Sequence, residues 1–175
     1  MNNTIQSIKR SRDILNNPMS LSIVSLIIRG IFVGLITGLI VSAFRWIIDQ
    51  TFSFLAFIYP LMANHLWSLV PYILVTLLIV FLLSKILKPC LLDLVGSGVP
   101  QIEAVLLNEH HMNAGSVLWR KFVGGLLAIC PGLFIGREGP CIQMGACVGQ
   151  LFGEHSKISS QEKRFLLECG VAAGL

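Results

Sequence analysis

Apolar residues in this chain come in long runs, broken by short polar or glycine-rich stretches. The first run extends from about Leu21 to Phe44, the second from about Leu66 to Leu87 and a third from about Ser116 to Ile135. The first two are each close to the roughly 20 residues that a helix needs to cross a hydrocarbon core. Residues 45–66 hold few charges and several aromatics, among them Trp46, Phe52, Phe54, Phe57 and Tyr59. That stretch extends the first helix beyond the lipid and turns back near Pro60, with its aromatics as an interfacial belt. Gly30, Gly34 and Gly38 form a small-residue ladder on the first span, a face that another helix approaches closely.

After Pro89 the pattern changes. Gly96-Ser97-Gly98-Val99-Pro100 is a polar, glycine-rich turn, followed by Gln101–Leu107, a helix too short to cross a bilayer. Such a helix is tolerated at depth only where protein or a watery cavity surrounds it. A second interruption, Gly136-Arg137-Glu138-Gly139-Pro140, separates the apolar run Phe122–Ile135 from Cys141–Phe152. An ionisable pair between apolar segments is costly and marks a functional site. Pro140 suits the first turn of a helix, where its missing N–H costs nothing. Both turns open a helix, and unpaired N–H groups at a helix start attract anions. Two broken helices with inward N-termini are the arrangement of transporters that hold anions near the midplane. The helix from Cys141 carries Gly145, Ala146 and Gly149, a second face for tight packing. Ser159 and Glu162 have the spacing of a capping box that opens a last helix at Ser160.

Composition fits an integral membrane protein: 54% hydrophobic and 13% charged residues in 175, with mean hydropathy +0.77. The formal charge of +4 does not point to nucleic acid, because the basic residues are scattered or flank apolar spans. Residues 1–20, with Lys9, Arg10 and Arg12, read as a cytoplasmic segment, and 21–175 as the membrane domain. Lys85 and Lys88 place the end of the second span on the same side. The five cysteines lack C-x-x-C spacing and read as membrane-buried thiols. His110 and His111 fall in a polar connector, where two adjacent histidines do not face one ligand site. No metal or cofactor is called for. An intramembrane enzyme is disfavoured: Asp13, Asp49 and Asp93 have no mid-span partner, and no G-x-S-x-G or H-E-x-x-H occurs.

Several roles stay open on the residues alone. The Ser97 hydroxyl is either a ligand group or satisfied by backbone within its turn. Lys121 either raises the potential along a path or makes a structural ion pair. Asp93 and Glu103 read as solvated or capping acids, Arg29 as snorkelling or paired, and Arg137 as making a buried structural contact or raising the local potential.

Gly96-Ser97-Gly98-Val99-Pro100 resembles the GSGIP element of the CLC chloride channels and proton/chloride exchangers, and Gly136-Arg137-Glu138-Gly139-Pro140 matches their GREGP element. Lys121-Phe122-Val123-Gly124-Gly125 and the closing Gly170–Leu175 resemble further stretches of that family, in the same order and spacing. The resemblance covers most of the chain from Leu21 onward, and about the first half of a family subunit. It implies an all-α membrane fold, the first of two inverted-topology repeats with re-entrant, broken helices, in a homodimer with one anion path per subunit. It implies chloride and protons as the transported ions, the lipid bilayer as surroundings and the cell (inner) membrane as location. Ser97 corresponds to the serine whose hydroxyl binds the central chloride and goes with chloride rather than nitrate preference. Glu138 corresponds to the gating glutamate, which blocks the outer anion site when ionised and swings away when protonated. Backbone N–H groups around Gly96, Ser97, Gly98, Glu138 and Gly139 line the anion positions.

The resemblance favours a proton-coupled chloride exchanger, with a chloride channel of the same family or an inert membrane subunit as alternatives. The third filter segment, the tyrosine closing the central site and the inner glutamate of most exchangers are not among these residues. Ending amid small packing residues, the chain reads as cut short and is expected to be incomplete as an anion path.

Overall fold

The computed structural model describes residues 18–63, 67, 69–132, 135–156 and 158–175. The cytoplasmic segment expected over 1–20 lies almost wholly outside the described residues. Among those described, every regular element is helical. In chain order these are α1 (Pro18–Ala63), α2 (Leu69–Leu87), a 3-10 turn (Lys88–Cys90), α3 (Leu91–Leu94), α4 (Val99–Leu106), α5 (Ala114–Ile129), α6 (Glu138–His155) and α7 (Ser160–Gly174).

The first apolar run and the aromatic stretch after it form one continuous helix of 46 residues, with Pro60 inside its last turns rather than at its end. At 1.5 Å per residue, α1 is about 69 Å long, far more than a hydrocarbon core requires. Two helical stretches, Ile23–Pro60 and Val70–Leu94, are long and apolar enough to cross a membrane. Their outward side chains, such as Ile31, Leu35 and Leu39 on α1 and Leu77 and Leu78 on α2, are exposed. In water that would be an aggregating surface; in lipid it is the expected one.

The buried stripe of α1 differs from the glycine ladder that its sequence suggests. Val33, Thr37, Val41, Phe44 and Ile48 are buried, at steps of four, four, three and four residues, which is one helical face. Gly30 faces Cys169 and Phe165 of α7, but Gly34 and Gly38 have nothing within 4 Å of where a β-carbon would stand. Val33 and Thr37, one position before those glycines, and Val41, Phe44 and Ile48 further along carry the packing instead.

α6 is the central element. It packs against α7, α5 and α1, and its length from Pro140 to Gly149 is buried except at Ile142. Close approach is possible because small residues meet. A β-carbon on Gly145 would collide with the Gly170 carbonyl, and one on Gly149 with the Leu166 carbonyl. Val41, Phe44, Ile48, Ile129, Cys141 and Met144 form the core where α1, α5 and α6 join. A second core, Leu94, Met112, Ala114, Val117 and Cys147, ties the short α3 to α5 and α6.

Local signals set the helix ends. Asn113 caps α5, its side chain accepting from the Ser116 amide at 3.2 Å. Pro131-Gly132 closes it, where the Pro131 carbonyl accepts from the Tyr72 hydroxyl at 2.7 Å. Ser159 and Glu162 form the full capping box at α7: the Ser159 hydroxyl accepts from the Glu162 amide, and the carboxylate accepts from the Ser159 amide at 2.8 Å.

Candidate functional site

The Ser97 turn and the start of α6 are brought into contact. Ser97 lies between two glycines with positive φ, Gly96 at 79° and Gly98 at 83°, a backbone that only glycine adopts without strain. The chain therefore reverses tightly out of α3 and enters α4 at Val99. Gly139, in the first turn of α6, lies directly on this reversal. A β-carbon there would stand 2.9 Å from both the α-carbon and the carbonyl oxygen of Ser97. Only a hydrogen fits between the two segments.

At this junction the backbone offers hydrogen-bond donors. The amides of Gly96 and Ser97 have no acceptor among the described residues, and those of Glu138 and Gly139 belong to the unpaired first turn of an 18-residue helix. Amide hydrogens and a helix start presented together favour nearby negative charge. The Ser97 hydroxyl accepts from the Val99 amide at 3.4 Å, the local turn bond that the sequence left open, at the long end of such contacts.

Lys121, on α5, stands behind the turn and is only 7% exposed. Its ammonium donates to the Leu94 carbonyl at 2.9 Å and the Gly96 carbonyl at 3.1 Å. The structural ion pair considered for it is not what forms; its partners are backbone oxygens. A buried cation satisfied by neutral carbonyls keeps its charge uncancelled close to the turn.

Glu138 is the first residue of α6, and its side chain is exposed, with no hydrogen-bond or ion-pair partner among the described residues. Its backbone joins the junction while its carboxylate stays unengaged. Arg137 turns the other way and pairs with Asp49 of α1 at 2.8 Å. The buried contact expected for Arg137 is instead an exposed one, with its side chain 48% and that of Asp49 61% exposed. Gly136 lies in open space and Pro140 is buried in the first turn of α6. Val99 and Pro100 begin α4, both exposed.

Three contributors were not legible in the sequence. Asp93, expected as a solvated or capping acid, is half-buried, and its carboxylate meets His110 Nε2 at 2.6 Å. Gln143 is fully buried under the turn and donates to the Asp93 carbonyl at 2.6 Å. Its side-chain amide fills the space at Gly98, where a β-carbon would lie 2.5 Å from it. Gln101, in the first turn of α4, donates back to the carbonyls of Leu92 at 3.1 Å and Val95 at 2.9 Å. The one signal for Gln143 was an amide side chain amid small and apolar residues from Cys141 to Gly149.

Known proteins carry the same organisation. The family profile described as "Voltage gated chloride channel" matches residues 79–175. The H(+)/Cl(-) exchange transporter ClcA of Yersinia pestis bv. Antiqua is 33% identical over 157 residues, covering 86% of this chain and 32% of that protein. The ClcA of Vibrio parahaemolyticus is 40% identical over 81 residues, 46% of this chain and 17% of that one. Among solved structures, a slow cyanobacterial Cl-/H+ antiporter superposes with a TM-score of 0.78 at 31% identity, over 85% of this chain and 35% of that one. The chain thus spans about a third of the length of the relatives it matches along most of itself. With more than half of its residues inside the family profile, and a membrane-type helical fold shared with an antiporter, this chain belongs to the voltage-gated chloride channel family.

Proposed function

We propose that this chain supplies two of the anion-binding segments of a proton-coupled chloride exchanger in the cell (inner) membrane, with its N-terminus in the cytoplasm. In this reading chloride lies against the amides of Gly96, Ser97, Gly98 and Gly139 and the Ser97 hydroxyl. Val99, Pro100, Gly136, Arg137 and Pro140 shape the two segments. Glu138 is the rival anion and the proton carrier. The observation that carries the reading is the seating of Gly139 on Ser97 without room for a methyl group. It joins two sets of free amide hydrogens beside a buried, uncancelled ammonium.

The mechanism follows from charge. An ionised carboxylate at the start of α6 competes with chloride for the same donors. Protonation removes its attraction to them, so proton uptake and chloride entry become linked, a coupling that is ordinarily about 1–3 kcal/mol between such sites. In this reading acid conditions favour chloride entry and alkaline conditions favour the carboxylate. Exchange rather than channel conduction is chosen because the relatives are named as exchange transporters and an antiporter. Homodimerisation, with one path per subunit, belongs to the same reading.

The test is flux in liposomes, recording chloride and protons together, from a full-length family subunit that carries these residues. That subunit is expected to move both, faster at low pH. Glu138→Gln is expected to move chloride without protons and without pH dependence. Proton coupling that persists in Glu138→Gln would remove Glu138 from the mechanism.

A further inference from the structure

Five consecutive backbone carbonyls precede Ser97, and each is held by a side chain. Gln101 Nε2 donates to Leu92 and Val95, at 3.1 and 2.9 Å. Gln143 Nε2 donates to Asp93 at 2.6 Å. Lys121 Nζ donates to Leu94 and Gly96, at 2.9 and 3.1 Å. The three side chains come from three helices, α4, α6 and α5, and converge on one short segment.

The two glutamines accept a cost to do this. Gln143 uses its remaining amide hydrogen toward the Met112 sulfur at 3.9 Å. The side-chain oxygens of both Gln101 and Gln143 are buried with no donor among the described residues. A buried acceptor left unpaired is penalised, whereas an apolar side chain of the same shape would avoid the penalty. Retention of two such orphans beside one turn calls for a reason located at their NH2 ends.

We propose that Gln101 and Gln143 are positioning residues for anion recognition, completing with Lys121 a clamp that draws the carbonyl oxygens of residues 92–96 away from the anion. The proposal rests on the reading of the Ser97 turn as a chloride site. A peptide group repels an anion through its oxygen and attracts it through its hydrogen. Left loose, a segment with two left-handed glycines samples conformations that present either end. Tying back every oxygen leaves the hydrogens of Gly96 and Ser97 as the polar groups on offer. Because Gln143 and Gly139 are on one helix, α6 both closes on Ser97 and fixes the carbonyl side of the same turn.

The experiment uses the purified chain in lipid nanodiscs, with sodium chloride titrated and binding followed by 35Cl NMR. Backbone amide hydrogen exchange over residues 94–98 is measured in parallel. Gln101→Met and Gln143→Met keep the shape and remove the donors. Each is expected to weaken chloride binding about five- to tenfold, the equivalent of about one hydrogen bond, and to speed exchange over 94–98 by a similar factor. Gln101→Lys, which keeps donors within reach of Leu92 and Val95, is expected to restore both. Because an added ammonium attracts chloride by itself, the rescue is read from exchange over 94–98, and the methionine variants decide the recognition role. Unchanged exchange in both methionine variants overturns the clamp, whatever chloride does. Faster exchange with unchanged chloride affinity overturns its role in recognition. If the unmodified chain does not bind chloride, the anion reading of the turn falls, and with it the recognition role; exchange then reports only whether the glutamines hold the turn. Should Gln143→Met fail to fold, the half-buried Gln101 pair decides the matter.

Discussion

Gly139 rests on Ser97 so closely that a β-carbon would stand 2.9 Å from the serine's α-carbon. Two segments 42 positions apart in sequence thereby become one surface. Gly139→Ala is expected to push the start of α6 away from the turn. Overpacking of this kind costs about 1–3 kcal/mol, and the separated donors no longer act on one ion. Thermal unfolding in detergent should register the destabilisation, and chloride binding should fall at least about tenfold. Full binding by this variant would show that the contact is incidental.

Lys121→Met tests the charge behind the turn. The methionine fills similar space but leaves the Leu94 and Gly96 carbonyls without their donor. An unpaired buried carbonyl costs about 1–3 kcal/mol, so a loss of about 2–6 kcal/mol is expected if neither finds another partner. Chloride flux should fall with it. Wild-type stability in this variant would place both carbonyls in water.

The glycines of α6 and α7 predict a graded series. Gly149→Ala drives a methyl into the Leu166 carbonyl, and Gly145→Ala drives one into that of Gly170. Both collisions are with backbone, which yields little, so losses of about 3 kcal/mol or more are expected for each. Gly34→Ala, with nothing within 4 Å, is expected to be neutral or slightly stabilising through helix propensity. Equal effects at Gly34 and Gly149 would contradict the packing described.

Ser159→Ala removes one half of the capping box at α7. The expected cost is about 1 kcal/mol, seen as faster amide exchange over the first turn of α7 while α6 is unaffected. Unchanged protection there would show that packing against α6 alone holds the helix start.

Apolar length fixed the two spans in advance, because crossing a hydrocarbon core demands a run of such residues whatever the rest of the chain does. Glycine and proline placed the two breaks, since their backbone limits act locally. The capping box was legible for the same reason: Ser159 and Glu162 satisfy each other within one turn of helix. The buried face of α1 was not. Its glycine ladder looked like the contact, yet Val33, Thr37, Val41, Phe44 and Ile48 form it, because a helix apolar all round carries no periodicity to show which side its neighbours take.

By itself, then, the sequence determined that two helices are apolar enough to cross a membrane, where the two glycine-rich breaks fall and how α7 begins, since each depends on residues within a turn or a span of one another. Only the tertiary structure decided that Gly139 meets Ser97, that Arg137 pairs with Asp49 and not with its neighbour Glu138, and that Lys121, Gln101 and Gln143 converge on the carbonyls before Ser97. Those pairings depend on how α4, α5 and α6 stack. A donor finds its acceptor by distance in space, and across tens of residues nothing local in the chain encodes that distance.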